Sequence, residues 1–494
     1  MKNVRPFLLA GLDFCAKAAM GCTLLLLPFT SLPLLSKLMG GTEVAPPSII
    51  FIFLLTVGWL PVYLLRGGNL PGEIKPFLVF IVAALFASAA GFFVFLPPYK
   101  GYTVLGAERD ALLTLAVGCA TYLVISLWPR ETIQLNWILK LINISGAIIL
   151  VWSLLELAWI LLRGGHYPDL MMRIQSVLAV RGFYDITFRT RVGGFTYEPS
   201  WLAHQLNVVF LPYWLAATIT GYTTAKKILH LSVENILLAL GFIVMFFSLS
   251  RIGLAAFLLT TAFAFYRLNA YGIRWLQNRL RGQPALSKWH LGRWIQLPLV
   301  LACLIIYLGA IAGFIILLSH FDKRVAHLLN WRILPNSFLA FAQQGDFAER
   351  VVYWSNGWSV FAQHPLLGVG LGNSGFFFQQ YLPVISYGLN EIQTLINQSA
   401  VLPNIKSLWV RLLAETGLVG FATFVAWQYI LWRAGIFLRA NRSLILRTLG
   451  WMGAFAVIAF LAEGFSVDSF ALPYLWVAMG ILTAASSVAR RETT

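Results

Sequence analysis

The side chains best suited to chemistry fall in four short stretches of this 494-residue sequence. Arg189, Arg191 and Glu198 form one group, and Arg251 interrupts a long apolar run. His364 opens a glycine-rich segment, and Lys406, Arg411 and Glu415 follow it. Guanidinium groups grip phosphate oxygens bidentately and stay charged at any working pH. A pyrophosphate neutralised by such groups is a good leaving group, so transfer from a pyrophosphate ester needs no metal ion. The metal-binding patterns are missing: there is no HExxH, no DxD on a candidate external loop and no Cys/His pair at ligand spacing. No cofactor is expected. Glu198 carries two readings, as acceptor of a proton from an attacking hydroxyl, or as a charge at a helix N-terminus ahead of Pro199 in the first turn.

These residues sit in a chain that is 59% hydrophobic and only 11% charged, against about 25% charged residues in a soluble domain. Too few polar side chains remain to cover a soluble globule. A soluble enzyme, a disordered chain and a secreted disulfide scaffold are all excluded. Cys15, Cys22, Cys119 and Cys303 lie in apolar stretches, which argues against a disulfide framework. The expected fold is an all-α integral membrane protein. A span needs about 20 apolar residues, and about twelve stretches qualify. They are 8–38, 46–65, 76–96, 110–128, 136–162, 199–219, 233–249, 251–267, 296–319, 408–434, 447–466 and 469–489. The first is too long for one upright helix, so it is a tilted helix or a helix with a re-entrant piece. Residues 233–267 read as two crossings joined by a very tight turn at Ser250 and Arg251. Lys2 and Arg5 precede the first span with no cleavage pattern after it, so it reads as an anchor that stays.

Lysine and arginine set the orientation. The chain holds 36 Lys and Arg against 19 Asp and Glu, a formal charge of +17. In a membrane chain this excess points to cytoplasmic loops and anionic headgroups, not to nucleic acid. With both termini cytoplasmic, the heavily basic connections fall inside, including the one holding Arg267, Arg274, Arg279, Arg281, Lys288 and Arg293. Two large segments, 163–198 and 320–407, then lie outside. The second is rich in aromatics (Trp331, Phe338, Phe341, Tyr353, Trp354, Trp358, Phe361), and 348–361 reads as an amphipathic helix stopped before Pro365. Four regions follow: 1–198 with the first spans and first external loop, 199–319 with central spans and candidate donor arginines, 320–407 as the large external loop, and 408–494 with the last spans.

Arginines also gather outside, where the positive-inside rule does not predict them. Snorkelling to outer-leaflet phosphates suits Arg163 and Arg173. The tight turn at Arg251 leaves that side chain little choice of direction, so a binding role is the better reading for Arg191 and Arg251. For Arg181 and Arg189 both readings stand.

Four blocks together resemble a known family. Residues 191–204 (RVGGFTYEPSWLAH), 248–258 (SLSRIGLAAFL), 364–373 (HPLLGVGLGN) and 404–420 (NIKSLWVRLLAETGLVG) look like the signature blocks of the O-antigen ligase/polymerase superfamily. These are bacterial multi-pass membrane glycosyltransferases of the GT-C type. The resemblance implies a glycan donor carried on polyprenyl pyrophosphate, used on the outer face of the bacterial cytoplasmic membrane. It also implies an acceptor glycan lipid, with membrane lipids and a chain-length regulator as further partners. Arg191 and Arg251 match the family's two donor-binding arginines, and Arg189, just ahead of the first block, and Arg411, in the last, are further candidate substrate-binding residues. Where the family's ligases keep a histidine, this sequence has Lys406, which binds phosphate but is a poor base unless burial lowers its pKa strongly. Glu198-Pro199-Ser200 looks like the polymerase version of its block, with Glu198 the best-placed proton acceptor.

The expected function is therefore polymerisation of a lipid-linked glycan. An O-antigen ligase or a protein O-oligosaccharyltransferase using the same donor is one alternative. A polysaccharide flippase is the other, but its repeated halves and midplane charges are not evident here. Gly368 to Gly372 resembles a dinucleotide fingerprint only in letters, and a tight turn suits it better. His204 and His364 read as structural, Glu415 as hydrogen-bonded within the bundle, and Glu463 and Asp468 as solvated at the last external turn. Tyr197, Trp201, Trp331 and Trp354 suit either sugar stacking or an interfacial belt.

The orientation predicts that single cysteines replacing Gln344 and Gln277, in a background without the native cysteines, label from opposite sides of the membrane. Equal labelling of both by an impermeant maleimide contradicts it.

Overall fold

In a computed structural model, residues 4–38, 42–180, 190–227, 229, 231–281, 291–329, 338–399 and 401–493 are described. Lipid offers no partner to a backbone N–H or C=O, so an apolar run must close its hydrogen bonds within itself. Accordingly, the regular elements among the described residues are helical. In chain order the first are α1 (Val4–Leu25), α2 (Pro33–Leu38), α3 (Ser48–Leu65), α4 (Ile74–Gly91), α5 (Val104–Leu127), α6 (Thr132–Arg163) and α7 (Asp169–Leu178). Next come α8 (Pro199–Thr220), α9 (Val233–Phe247), α10 (Arg251–Arg281), α11 (Leu291–Phe321), α12 (Lys323–Leu328), α13 (Phe338–Gln344) and α14 (Ala348–Gln363). The last are α15 (Asn390–Asn397), α16 (Leu408–Arg439), α17 (Leu444–Glu463) and α18 (Pro473–Thr493).

Among the described residues, nine helices are long and apolar enough to cross a membrane: α3, α4, α5, α6, α8, α16, α17, and α10 and α11 over Arg251–Asn269 and Val300–Phe321. The chain is an all-α, multi-pass membrane protein. Helices α1, α9 and α18 occupy the other three candidate positions. The overlong first stretch resolves into α1 and the short α2. The residue before a proline avoids helical backbone, and Pro28 and Pro33 punctuate the interval. Among its described residues the long 320–407 segment is largely helical, and the amphipathic stretch expected at 348–361 is α14.

By packing, the chain forms two units, Met1–Leu254 with Val352–Thr494, and Ala255–Val351. In the smaller unit, Tyr307 donates to the Leu258 carbonyl at 2.8 Å and stacks on Phe265 at 5.2 Å. Asp322 caps α12 by accepting the Arg324 N–H at 3.0 Å. In the larger unit, α16 packs on α17 and α4, α18 on α5, and α8 on α17. Its core is aromatic. Phe77 meets Tyr122 at 4.7 Å and Trp427 at 4.9 Å, and Trp427 stacks on Trp476 at 5.7 Å. Their polar ends are paired with one another, Trp427 Nε1 donating to the Tyr122 hydroxyl at 3.2 Å.

Helix α16 is broken near its start. Gly417 has φ 61° and ψ −166° inside it, which interrupts the backbone ladder. The freed groups pair with the segment that follows α14. Leu418 N–H donates to Pro365 O at 2.8 Å, Val419 N–H to Leu366 O at 3.2 Å, and the Val369 and Gly370 N–H groups to Ala414 O and Glu415 O at 3.0 Å. The glycine run is thus a turn laid against a helix backbone, as the sequence suggested. Its far side reaches α4 and α5, where Asn373 Nδ2 donates to Glu108 Oε1 at 2.7 Å.

Position 417 takes only glycine. An added Cβ would lie 2.2 Å from the Leu366 carbonyl oxygen, at a φ that L side chains rarely adopt. Gly417→Ala should lose about 2 kcal/mol or more of stability. Gly58→Ala, which meets nothing within 4 Å, should lose far less. Equal thermal unfolding midpoints for the two in detergent would contradict the account.

Candidate functional site

The site grows from the turn between α9 and α10. Three residues reverse the chain, with Leu249 forced to φ 48°. The Ser248 hydroxyl donates to Met245 O at 2.8 Å, and Ser250 Oγ accepts the Gly253 N–H at 3.4 Å. Arg251 therefore stands in the first turn of α10, at the positive end of the helix dipole. A structural cation belongs at the opposite end of a helix. A guanidinium here adds to a field that attracts anions.

Arg191 arrives at the same turn from the segment between α7 and α8. Gly193 and Gly194 N–H donate to the buried Glu156 Oε2 at 3.1 and 2.7 Å, which fixes the segment against α6. Val192 N–H then bonds Phe247 O at 3.0 Å. Arg191 Nε donates to Ser248 O at 3.0 Å, so both arginines bracket one three-residue turn. Arg181 and Arg189 lie outside the described residues.

Glu198 follows on the same segment and caps α8, with Pro199 next. The Thr196 hydroxyl donates to Gly193 O at 2.6 Å and to Glu198 O at 2.7 Å, which shapes the approach. The half-buried Glu198 carboxylate accepts the Ser200 hydroxyl and makes no ion pair among the described residues. The N-cap position agrees with the reading of Glu198 as a charge at a helix N-terminus.

The remaining candidates are engaged differently. Lys406 has φ 51°, and its N–H lies 3.2 Å from Asp468 Oδ2. Its ammonium pairs with Glu391 and sits 4.8 Å over the Tyr353 ring, and Tyr353 OH donates to Glu391 Oε1 at 3.0 Å. This arrangement serves a cation. Arg411 is largely buried, with Nε donating to Glu415 Oε2 at 2.9 Å and Nη1 to Asp468 O at 2.7 Å. Glu415 also accepts the Ser374 hydroxyl at 2.8 Å, in keeping with its reading as a bundle carboxylate. Arg411 thus joins α16 to the turn between α17 and α18.

The two groups are linked through Asn207, which sequence reasoning passed over, and through Glu463 and His204. Asn207 Nδ2 donates to Gly253 O at 2.8 Å, two residues past Arg251, and to Glu463 Oε1 at 2.6 Å. Glu463 Oε2 faces His204 Nδ1 at 3.4 Å. The following Gly464 carbonyl accepts the Leu408 N–H at 2.7 Å, two residues past Lys406. Glu463, expected to be solvated, is 1% exposed. The correction has a physical reason: a carboxylate at a span end can turn inward when an amide and an imidazole meet it. The available signal was an Asn and a Glu inside otherwise apolar runs. Of the expected sugar-stacking aromatics, Tyr197 meets Trp201 at 5.4 Å and donates its hydroxyl to Glu43 at 2.7 Å. Trp354 packs on Phe465 at 5.6 Å, and Trp331 lies outside the described residues. Among the described residues no group of three His, Cys, Asp or Glu is placed to hold a metal ion.

Residues 236–425 match the family model described as O-antigen ligase. This supports the O-antigen ligase/polymerase superfamily. The match spans the blocks holding Arg251, the glycine turn and Lys406, while Arg191 and Glu198 precede it. No curated protein matches the chain.

Asn207 is the testable joint of this arrangement. Asn207→Leu would leave a buried carboxylate oxygen and the Gly253 carbonyl without their donor, at a cost of about 3 kcal/mol. The thermal midpoint should fall clearly below that of Asn235→Leu, whose side chain faces the exposed Thr218. No difference between the two would refute the joint.

Proposed function

We propose that this O-antigen ligase-type membrane chain is a glycan polymerase working at the outer face of the bacterial cytoplasmic membrane. The donor is an oligosaccharide on polyprenyl pyrophosphate, and the acceptor is a second carrier-linked glycan. Arg191 and Arg251 bind the donor pyrophosphate, with Arg189 as a further cation. The acceptor hydroxyl oxygen attacks the anomeric carbon, and its proton passes to the Glu198 carboxylate. The bond from that carbon to the pyrophosphate oxygen breaks, and the electron pair leaves with the carrier pyrophosphate. The arginines neutralise that charge, so the chemistry requires no metal ion. Lys406 acts electrostatically on the donor or the departing carrier. Arg411 holds the start of α16 in place.

The observation that carries this reading is the turn bracketed by Arg191 and Arg251, with Glu198 on the Arg191 segment and outside any ion pair among the described residues. A ligase acting on a lipid A core or a protein has one observation in its favour, the description of the matched family model. Purified protein given the donor and each acceptor separates the two. Elongated carrier-linked glycan supports the polymerase, and product on the other acceptor alone supports the ligase.

Two substitutions test the roles. Arg251→Lys keeps the charge but loses the bidentate fork, so release of carrier pyrophosphate should fall steeply at unchanged protein abundance. Full activity in both Arg251→Lys and Arg251→Ala would reduce this residue to a lipid contact. Glu198→Gln should lower turnover about 10²–10⁴-fold while donor binding persists, and should remove the acidic limb of the pH–rate profile. Loss of that limb in Lys406→Arg alone would assign the base to Lys406.

A further inference from the structure

The opposite end of the larger unit carries a feature that glycan transfer does not use. Arg66, Arg130 and Arg491 come from the end of α3, the α5–α6 connection and the end of α18, yet they line one cavity of about 280 Å³. Asp13 is its single lining carboxylate. By the distribution of basic loops, all of these positions are cytoplasmic. Basic side chains converging on a concave wall raise the local positive potential and attract anions.

The cavity is built. Tyr63, 5% exposed, stacks on Trp59 at 5.2 Å and donates its hydroxyl to Asn69 O at 2.8 Å. Its ring carries the Arg130 guanidinium at 4.8 Å. The adjoining loop is shaped to that ring, since a Cβ at Gly68 would fall 2.4 Å from it. Beside it, a second cavity of about 230 Å³ shares Asn69 and Arg491. Glu73 closes that side by pairing with Arg490 and accepting the Ser486 hydroxyl at 2.7 Å. Phe14 and Leu65, next in the chain to the lining residues Asp13 and Arg66, are 73% and 88% exposed and offer apolar surface beside them.

We propose that this cavity holds the phosphodiester headgroup of an anionic glycerophospholipid of the inner leaflet. The guanidinium groups of Arg66, Arg130 and Arg491 grip the phosphate, and the acyl chains lie along Phe14 and Leu65. Inorganic phosphate offers the same oxygens, but it leaves that apolar surface uncovered.

Native mass spectrometry of the full chain, titrated with phosphatidylglycerol or phosphatidylethanolamine, tests this. Phosphatidylglycerol should bind more tightly by roughly tenfold or more. Each arginine contributes about fivefold, so Arg130→Gln with Arg491→Gln should weaken phosphatidylglycerol binding about 25-fold. The single Arg66→Glu change at an exposed turn should weaken it as well, which guards against a misfolded double variant. Arg442→Gln, at an exposed arginine on another cytoplasmic connection, should leave binding unchanged. Inorganic phosphate at equal concentration should not displace the lipid. Equal affinity for the two lipids, an anionic preference kept in both test variants, or displacement by inorganic phosphate would each overturn the proposal.

Discussion

A polar group inside a bundle that faces lipid must find its partner within the protein, because neither the hydrocarbon nor the packed core supplies one. The break at Gly417 shows how much of the fold this constraint organises. Interrupting α16 frees N–H groups at Leu418 and Val419 and carbonyls at Ala414 and Glu415, and the segment 365–370 satisfies all four. A long connection is thereby held against the bundle by backbone bonds, and its glycines allow the close approach. The bend also leaves the first turns of α16 free to take a direction of their own, which carries Lys406 and Arg411 to Asp468.

The same constraint places the other half of the site. Glu156 is buried in α6 and is met by two glycine N–H groups, so the loop bearing Arg191 and Glu198 is held where that carboxylate needs donors. Glu463 is buried at the end of α17 and is met by Asn207 and His204, so α8, α10 and α17 are joined beneath the Arg251 turn. Both carboxylates are buried and hold backbone and helix ends in place.

Charge is divided accordingly. Arg411 pairs with Glu415 and Lys406 with Glu391, and Arg191 and Arg251 gather at a helix N-terminus, where cations are otherwise disfavoured. That placement is what motivates the proposed donor site. The cavity lined by Arg66, Arg130 and Arg491 also gathers arginines, but two of them stand at helix C-terminal ends, where cations are favoured.

By itself, the sequence determined the membrane class, the positions of the nine helices long and apolar enough to span among the described residues, the tight turn before Arg251 and a helix over 348–361, because each depends on local composition or short-range pattern. It also marked Arg191, Arg251 and Glu198, whose charges stand out against apolar surroundings. Only the tertiary structure decided how these residues are engaged. That Arg191 bonds the very turn that launches Arg251 depends on Glu156, 35 positions earlier in the chain. That Lys406 pairs with Glu391, and that Glu463 turns inward to Asn207, depends on which helix ends meet. Periodicity tells which face of a helix is apolar, but not which partner a lone polar side chain will find, since that choice is made by elements hundreds of residues apart competing to bury the same group.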